Sequence, residues 1–366
     1  MIKAGSTLLQ AGPAVLDAIA ADIAALHGKG VRVVIVSSGA VALGRSRLGL
    51  TQPVLSLEQK QAAAAAGQPR LVAAWERALE PHGLVAAQAL MTLDVTESRR
   101  SWLNARATLN TLMELGAVPV VNENDTIATD EIRYGDNDRL AARVAQLVGA
   151  DLLVLLSDVD GLYDADPRHN PQARRIAEIP AIDASIHAMA GEANASAAVG
   201  TGGMRTKILA AELAGRSGCA TAIALGTSAE PVLGLRHADR GSWFHPARSA
   251  ASARESWISG AASPAGEVRV DAGAAHALLA GKSLLPVGVT GITGRFERGE
   301  TVRVVDPDGH TIGRGVCAYS AEDARRIAGC RTEEIEARLG YRRAAALIHV
   351  DDLVLTPESR AGQEPS

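Results

Sequence analysis

The chain has 366 residues, 47% apolar and 21% charged, with a formal net charge of -4; that composition suits about two folded domains and excludes a disordered or collagen-like chain. The weakly acidic balance offers no general attraction to nucleic acid or to an anionic membrane surface, and four Trp, four Tyr and two Phe are too few for a large base-stacking platform. Three widely spaced cysteines, Cys219, Cys317 and Cys330, form neither a disulfide framework nor a zinc-ligand pattern, and no membrane span or secretory signal is expected, which together fit a reducing cytoplasm.

Short β-branched runs alternate with longer helical patterns through the first 226 or so residues. A helix is predicted over 13–27, where Pro13 suits a first turn. A strand follows at 31–36 (VRVVIV), then a helical pattern over 57–79, broken near 67–69 (GQP). A helix at 101–115, a strand at 117–121 (AVPVV), a helix at 136–148 and a strand at 151–156 (DLLVLL) complete the run, and a further helical pattern extends to about residue 215. Strands that are apolar almost throughout are covered on both faces. The expected fold class is therefore α/β: an open, mainly parallel sheet sandwiched by helices, with ligands at the carboxyl ends of its strands.

Beyond residue 226 the periodicity fades into Gly, Ser, Ala and Pro. The expected organisation is a first domain over 1–255, a linker over 256–265, a small β-rich domain over 266–350 and a C-terminal tail over 351–366. Within the second domain, strands are predicted at 267–270, 301–305 and 311–318, with Pro307-Asp308-Gly309 as a hairpin turn. From residue 264 onward 13 Lys and Arg face 15 Asp and Glu, a poor electrostatic footprint for nucleic acid.

The chain uses Lys only five times, at 3, 29, 60, 207 and 282, so each raises the question whether a compact ammonium is required there. Lys3-Ala4-Gly5-Ser6-Thr7 could let a phosphate approach backbone N–H groups beside a cation, or could be a basic residue before a polar turn. Thr201-Gly202-Gly203-Met204-Arg205-Thr206-Lys207 opens a helix with uncovered backbone donors and a Lys one turn in, suited to an anion, or is a flexible cap. No Walker A loop occurs: Gly281-Lys282-Ser283 has His276 where its first glycine should stand. Asn122-Glu123-Asn124-Asp125 and Gly135-Asp136-Asn137-Asp138 flank one excursion after a strand. They offer carboxylates for an ammonium, amides for a carboxylate and a charge to orient lysines, although such residues also cap helices and turns. Ser37-Ser38-Gly39-Ala40 offers hydroxyl and backbone donors, or an N-cap; Ser157-Asp158 offers contacts to a ribose or base, or a turn cap. The nine His form no H-E-x-x-H and no triad with a Ser.

Taken together, K-x-G-S, SSGA, NEND, GDND, SDVDGLYDADPRHNPQA and TGGMRTK resemble the pattern of the amino-acid kinase family in its bacterial glutamate 5-kinase branch. The segment from RESWISG to GRFERGE resembles that branch's C-terminal PUA domain, so nearly the whole chain is covered. The resemblance implies ATP-dependent phosphorylation of the γ-carboxylate of L-glutamate to L-glutamyl 5-phosphate, the first step of proline synthesis. It implies that Lys3 and Lys207 hold the transferring phosphoryl group while Asp138 orients them. It implies that Ser38, Gly39, Asp125 and Asn137 bind glutamate, helped by Asn122 and Asp136. Lys3, Gly5, Ser6, Ser157, Asp158, Thr201, Gly202, Gly203, Met204, Arg205, Thr206 and Lys207 would bind ATP, with Mg2+ carried mainly on the nucleotide's phosphates and no protein metal ligand. It further implies inhibition by L-proline through the excursion from 123 to 135, a homo-oligomer (dimer or tetramer) and hand-over to glutamyl phosphate reductase. A kinase of the same family with another acceptor is the nearest alternative. An RNA-binding PUA protein is the other, against which the charge and aromatic content weigh.

Overall fold

The structure, a computed structural model, describes residues 1–92, 99–127, 137–167, 169–192, 203–237, 239–246, 264–342 and 344–356. The chain divides into two units, Met1–Ala250 and Ala251–Ser366.

In the first unit the elements run β1 (Ile2–Ala4), α1 (Ser6–Gln10), α2 (Pro13–His27), β2 (Ile35–Ser37), α3 (Ala40–Arg47), α4 (Leu57–Leu79), β3 (Ala86–Met91), α5 (Arg99–Glu114) and β4 (Val118–Glu123). They continue through α6 (Asn137–Val148), β5 (Leu152–Ser157), β6 (Leu162–Tyr163), β7 (Arg175–Ile176), β8 (Glu178–Ile179), α7 (Ala184–Glu192), α8 (Met204–Gly215), β9 (Ala220–Leu225) and β10 (Ser242–Phe244). Eight strands form one sheet in the order β3-β4-β2-β1-β5-β9-β10-β8. The first six run parallel; β10 turns antiparallel to β9 and pairs in parallel with β8.

Side chains alternate across the pleat, and the two cores follow from that alternation. Ile2, Ala4, Ile35, Val120, Val154 and Leu156 pack with Leu16, Ile19 and Ile23 of α2 and Trp75 and Leu79 of α4. Their neighbours Val36, Val121, Leu153 and Leu155 pack on the opposite face with Leu140 and Val144 of α6 and Ile208 and Ala211 of α8. Lys3, standing between Ile2 and Ala4, is thereby turned toward the α6 and α8 face, whereas Ser37 and Asn122 share the α4 face.

Several boundaries differ from the sequence reading. The strand expected over 31–36 is confined to Ile35–Ser37, because its ladder partner β1 begins opposite Ile35 at Ile2. The break expected at 67–69 is absent: α4 runs through Pro69. The missing N–H costs roughly 3 kcal/mol, but the helix buries Leu71, Trp75 and Leu79, each contributing about 1.5–3 kcal/mol. Gly67 serves close packing instead of a break. A Cβ on Gly67 would overlap the backbone at Ala40 and Gly44, and one on Gly44 would overlap the backbone at Ala63, so α3 and α4 touch main chain to main chain. The helix expected from 136 is described from Asn137.

The second unit holds a five-stranded sheet, β12-β11-β13-β14-β15, built from β11 (Gly266–Val270), β12 (Val289–Gly294), β13 (Thr301–Val305), β14 (Thr311–Val316) and β15 (Leu353–Leu355). Its core gathers Val268, Val302, Val304, Tyr319, Ile327 and Ile348. Pro307-Asp308-Gly309 joins the antiparallel β13 and β14, as its turn chemistry suggests. The tail expected over 351–366 begins too early: Leu353–Leu355 pairs with β14 and forms a sheet edge, and Leu353 packs against the core. Among the described residues no helix is long and apolar enough to cross a membrane.

Candidate active site

Three elements converge on Asp138. This carboxylate lies in the first turn of α6 and is wholly buried. Lys3, the central residue of β1, places its Nζ 2.6 Å from Asp138 Oδ1, and Lys207 of α8 places its Nζ 3.4 Å from Oδ2. Thr206 donates its hydroxyl to the same Oδ2 at 2.7 Å. Both lysines are buried as well, at 6% and 5% exposure, so two lysines share one carboxylate away from water. Burial by itself would push the Asp138 carboxyl upward; the ammonium groups of Lys3 and Lys207, with hydrogen bonds from Lys3 and Thr206, outweigh it and hold it below the ordinary carboxylate range. Burial lowers Lys207; Asp138 opposes this, and the nearby Lys3 adds to it. Two lysines on one carboxylate in a dry setting suit an incoming anion.

The surroundings of the lysines are small and polar. Gly5 lies against Lys3, since a Cβ there would stand 3.6 Å from its Nζ, and Ser6 opens α1 immediately after it. Gly203 caps α8 without a side-chain hydrogen bond, one turn before Lys207. Ser157, ending β5, donates to Asp158 Oδ1 at 3.1 Å, and the charge of Asp158 reaches Lys207. Met204 packs against the core, while Arg205 is exposed on α8. Thr201 and Gly202 lie outside the described residues, as does Asp136.

The neighbour of Asp138 belongs to a second network. Asn137 donates its amide to Ser38 Oγ at 2.7 Å and to Asn122 Oδ1 at 3.3 Å. Asn122, buried at the end of β4, donates in turn to Gln68 Oε1 of α4 at 2.9 Å. Ser38 is tied to the end of β1 by its N–H to Ala4 O at 3.1 Å. Gly39, next to it, has φ +117° and lies against Leu9 and Ser6, a conformation that only glycine adopts without strain. Ser37, on the α4 face, accepts a hydrogen bond from Trp75 Nε1 at 2.9 Å.

Asp125 lies in a cavity of about 390 Å³ whose lining includes Gln68 of the second network together with Glu76, Gln88, Glu123 and Thr126. Among the described residues no Lys or Arg lines it. Burial pushes the Asp125 carboxyl up to about 6, so this carboxylate gains from an incoming cation such as an ammonium.

The structure thus brings Lys3, Lys207 and Asp138 into contact and joins Ser38, Asn122 and Asn137 through hydrogen bonds. Two side chains, Gln68 and Trp75, are missed by the sequence reading, and a third, Thr206, has a contact that it does not predict. Gln68 and Trp75 escaped because α4 read as a broken apolar helix, yet Gln68 is the polar member of a buried stripe with Ala64, Leu71 and Trp75, a spacing visible in the sequence. Thr206 was read only as part of a nucleotide loop; its bond to Asp138 arises from the crossing of α6 and α8.

The model of the Amino acid kinase family matches residues 1–224, and that of the PUA domain matches residues 266–339. The chain is 56% identical over 361 residues to a glutamate 5-kinase of Caulobacter vibrioides (strain NA1000 / CB15N), covering 97% of this chain and 96% of that protein. It is 54% identical over 369 residues to a glutamate 5-kinase of Rhizobium etli (strain CIAT 652), covering 100% and 94%. A glutamate 5-kinase of Sinorhizobium fredii (strain NBRC 101917 / NGR234) is 52% identical over 369 residues, covering 100% and 93%.

Proposed function

The chain belongs to the amino acid kinase family, among relatives that are glutamate 5-kinases, and from that premise we propose that it transfers the γ-phosphoryl group of ATP to the γ-carboxylate of L-glutamate, opening proline synthesis. The observation that carries this reading is the buried Lys3–Asp138–Lys207 cluster, two lysines on one carboxylate.

The chemistry needs little else. A glutamate side chain, with a reference pKa of about 4.3, is already ionised at neutral pH, so the attack requires no general base. An oxygen of that carboxylate forms a bond to the γ-phosphorus while the bond to the β,γ-bridging oxygen breaks, and no proton moves. The barrier lies in bringing two anions together and in stabilising charge on the transferring group, a task for fixed cations. Lys3 and Lys207 are held for it by Asp138, the one carboxylate they share. The N–H groups at the start of α8 and the backbone beside Gly5 support phosphate binding. Mg2+ would be held by the nucleotide's phosphate oxygens, where it offsets their charge, because Asp138 has both oxygens engaged by Lys3, Lys207 and Thr206.

On the acceptor side, Ser38 and the start of α3 after Gly39 supply donors for the α-carboxylate. The Asn137 Oδ1, buried and without a hydrogen-bond partner among the described residues, and Asp125 supply acceptors for the α-ammonium. Asn122 and Asp136 assist. By the same kinship the reading extends to a cytoplasmic homo-oligomer, inhibition by L-proline at or over the glutamate pocket, and hand-over of the labile acyl phosphate to glutamyl phosphate reductase. Purified protein with ATP, Mg2+ and L-glutamate should yield a hydroxamate on trapping, with aspartate, acetylglutamate and carbamate far poorer acceptors; equal turnover with one of those would replace the acceptor assignment. Proline should raise the KM for glutamate, and indifference to saturating proline would remove that part of the reading.

A further inference from the structure

Gln68 has a place in the fold that its chemistry does not explain. It lies mid-helix in α4, in a stripe otherwise made of Ala64, Leu71 and Trp75, and is 9% exposed. A side chain of that length and polarity is costly to bury unless its amide is used. One half is used: Gln68 Oε1 accepts from Asn122 Nδ2 at 2.9 Å. The other half, Nε2, is buried and has no hydrogen-bond partner among the described residues, and the residue lines the cavity that holds Asp125.

The direction of the amide chain follows from this anchor. With Oε1 of Gln68 taking the Asn122 amide hydrogens, Asn122 Oδ1 is left to face Asn137, which spends its Nδ2 on Asn122 and on Ser38. That choice leaves the Asn137 carbonyl oxygen unpaired in the protein and the Ser38 hydroxyl hydrogen available to a ligand. Reversing any member would reverse the donor and acceptor pattern of the next. The backbone contact between Gly67 and Ala40 fixes the residue before Gln68 against the first residue of α3, two positions from Ser38, so anchor and reader are held by one helix crossing.

We propose that Gln68 is a positioning residue for the acceptor amino acid: it acts through Asn122 to set the orientation of Asn137 and Ser38, and so sets the affinity for the acceptor without touching the phosphoryl-transfer lysines. The inference rests on the glutamate kinase reading above and adds to it a residue on α4.

The test is steady-state kinetics of the full chain with hydroxamate trapping, on wild type, Gln68→Met, Asn122→Ala and the double variant, each with a thermal melt. Gln68→Met keeps the volume and removes both amide functions. It should raise the KM for glutamate about tenfold, the equivalent of one net hydrogen bond, while kcat and the KM for ATP stay within about twofold. In the Asn122→Ala background it should add less than about twofold, as expected when one residue works through the other. An unchanged KM for glutamate, a parallel rise in the KM for ATP, or full additivity with Asn122→Ala would overturn the assignment. Should the Met variant not fold, Gln68→Ala, compatible with the helix, carries the same expectations. Wild-type protein without glutamate-dependent turnover would instead overturn the reading beneath the inference, and the inference with it.

Discussion

Asn137 and Asp138 are adjacent in the first turn of α6, yet they serve networks of opposite character. Asp138 enters a charged cluster approached from β1 and α8, with two buried lysines, one buried carboxylate and the half-buried hydroxyl of Thr206. Asn137 enters a neutral chain of amides and one hydroxyl approached from β2, β4 and α4. The charged cluster sets two lysines on one carboxylate, and in the proposed reaction it receives the phosphoryl group. The amide chain is net neutral, so burial costs it less, and what it carries is direction: which group donates and which accepts. In the proposed reaction the first network answers to charge developing in transfer and the second to the shape and polarity of the acceptor.

The division can be broken most severely at Asp138. Asp138→Asn removes the buried carboxylate that Lys3 and Lys207 share while keeping the side chain's size, and should destabilise the protein by about 3–5 kcal/mol, read from urea unfolding. Because the folded-state carboxyl is held below its ordinary value, its contribution is present above the unfolded pKa and is lost as pH falls through the folded one. The variant should therefore lose the acid-dependent part of the stability curve that wild type displays there. Lys207→Ala should lower kcat by about 10²–10³-fold with the fold retained and the KM for glutamate little changed; a near-normal kcat would remove Lys207 from the chemistry.

A finer cut separates the networks by pH. Asp125 titrates near 6 because it is buried, and an ammonium ligand requires its charged form. The kcat/KM for glutamate should fall about tenfold per pH unit below that value, whereas Asp125→Asn should lack this limb and bind glutamate weakly throughout. For stability the sign is opposite: a carboxyl raised in the folded state favours folding fully below its unfolded pKa, and that favour disappears as pH rises through 6. Bound glutamate should consequently raise the melting temperature more at pH 7.5 than at pH 5. The smallest effect is expected for Thr206→Val, which removes one hydrogen bond to a charged group, about 1.5–3 kcal/mol in gross terms and several-fold in kcat; a change confined to the KM for glutamate would show that the two networks are coupled across α6.

Much of this architecture is legible in the residues. The apolar runs at β4 and β5 read as doubly covered strands, and Pro13–His27 reads as a helix with its actual limits. Lys3 and Lys207 stood out because the chain otherwise uses Arg. Other elements were not legible: β3 (AAQALM) contains no β-branched residue and β9 (ATAIAL) only two, so propensity is silent and the neighbouring ladders decide. The GQP in α4 read as a break because local rules price Gly and Pro singly, whereas the packing of Gly67 on α3 and the burial of Trp75 are contributions from segments distant in sequence.

The sequence by itself determined the periods: strands that alternate by two, helices that place 64, 68, 71 and 75 on one side, and glycine at 39, where the chain turns through positive φ. Those are local consequences of backbone geometry, and they hold wherever the chain goes. Only the tertiary structure decided which face of the sheet each network occupies, because that depends on which helix covers which side of β1. Lys3, Asp138 and Lys207 are separated by up to 204 positions in the chain, and no local rule brings them within 3.4 Å; the parallel crossovers that stack α6 and α8 on one face of β1 do, just as the α3–α4 contact carries Gln68 to Asn122 on the other.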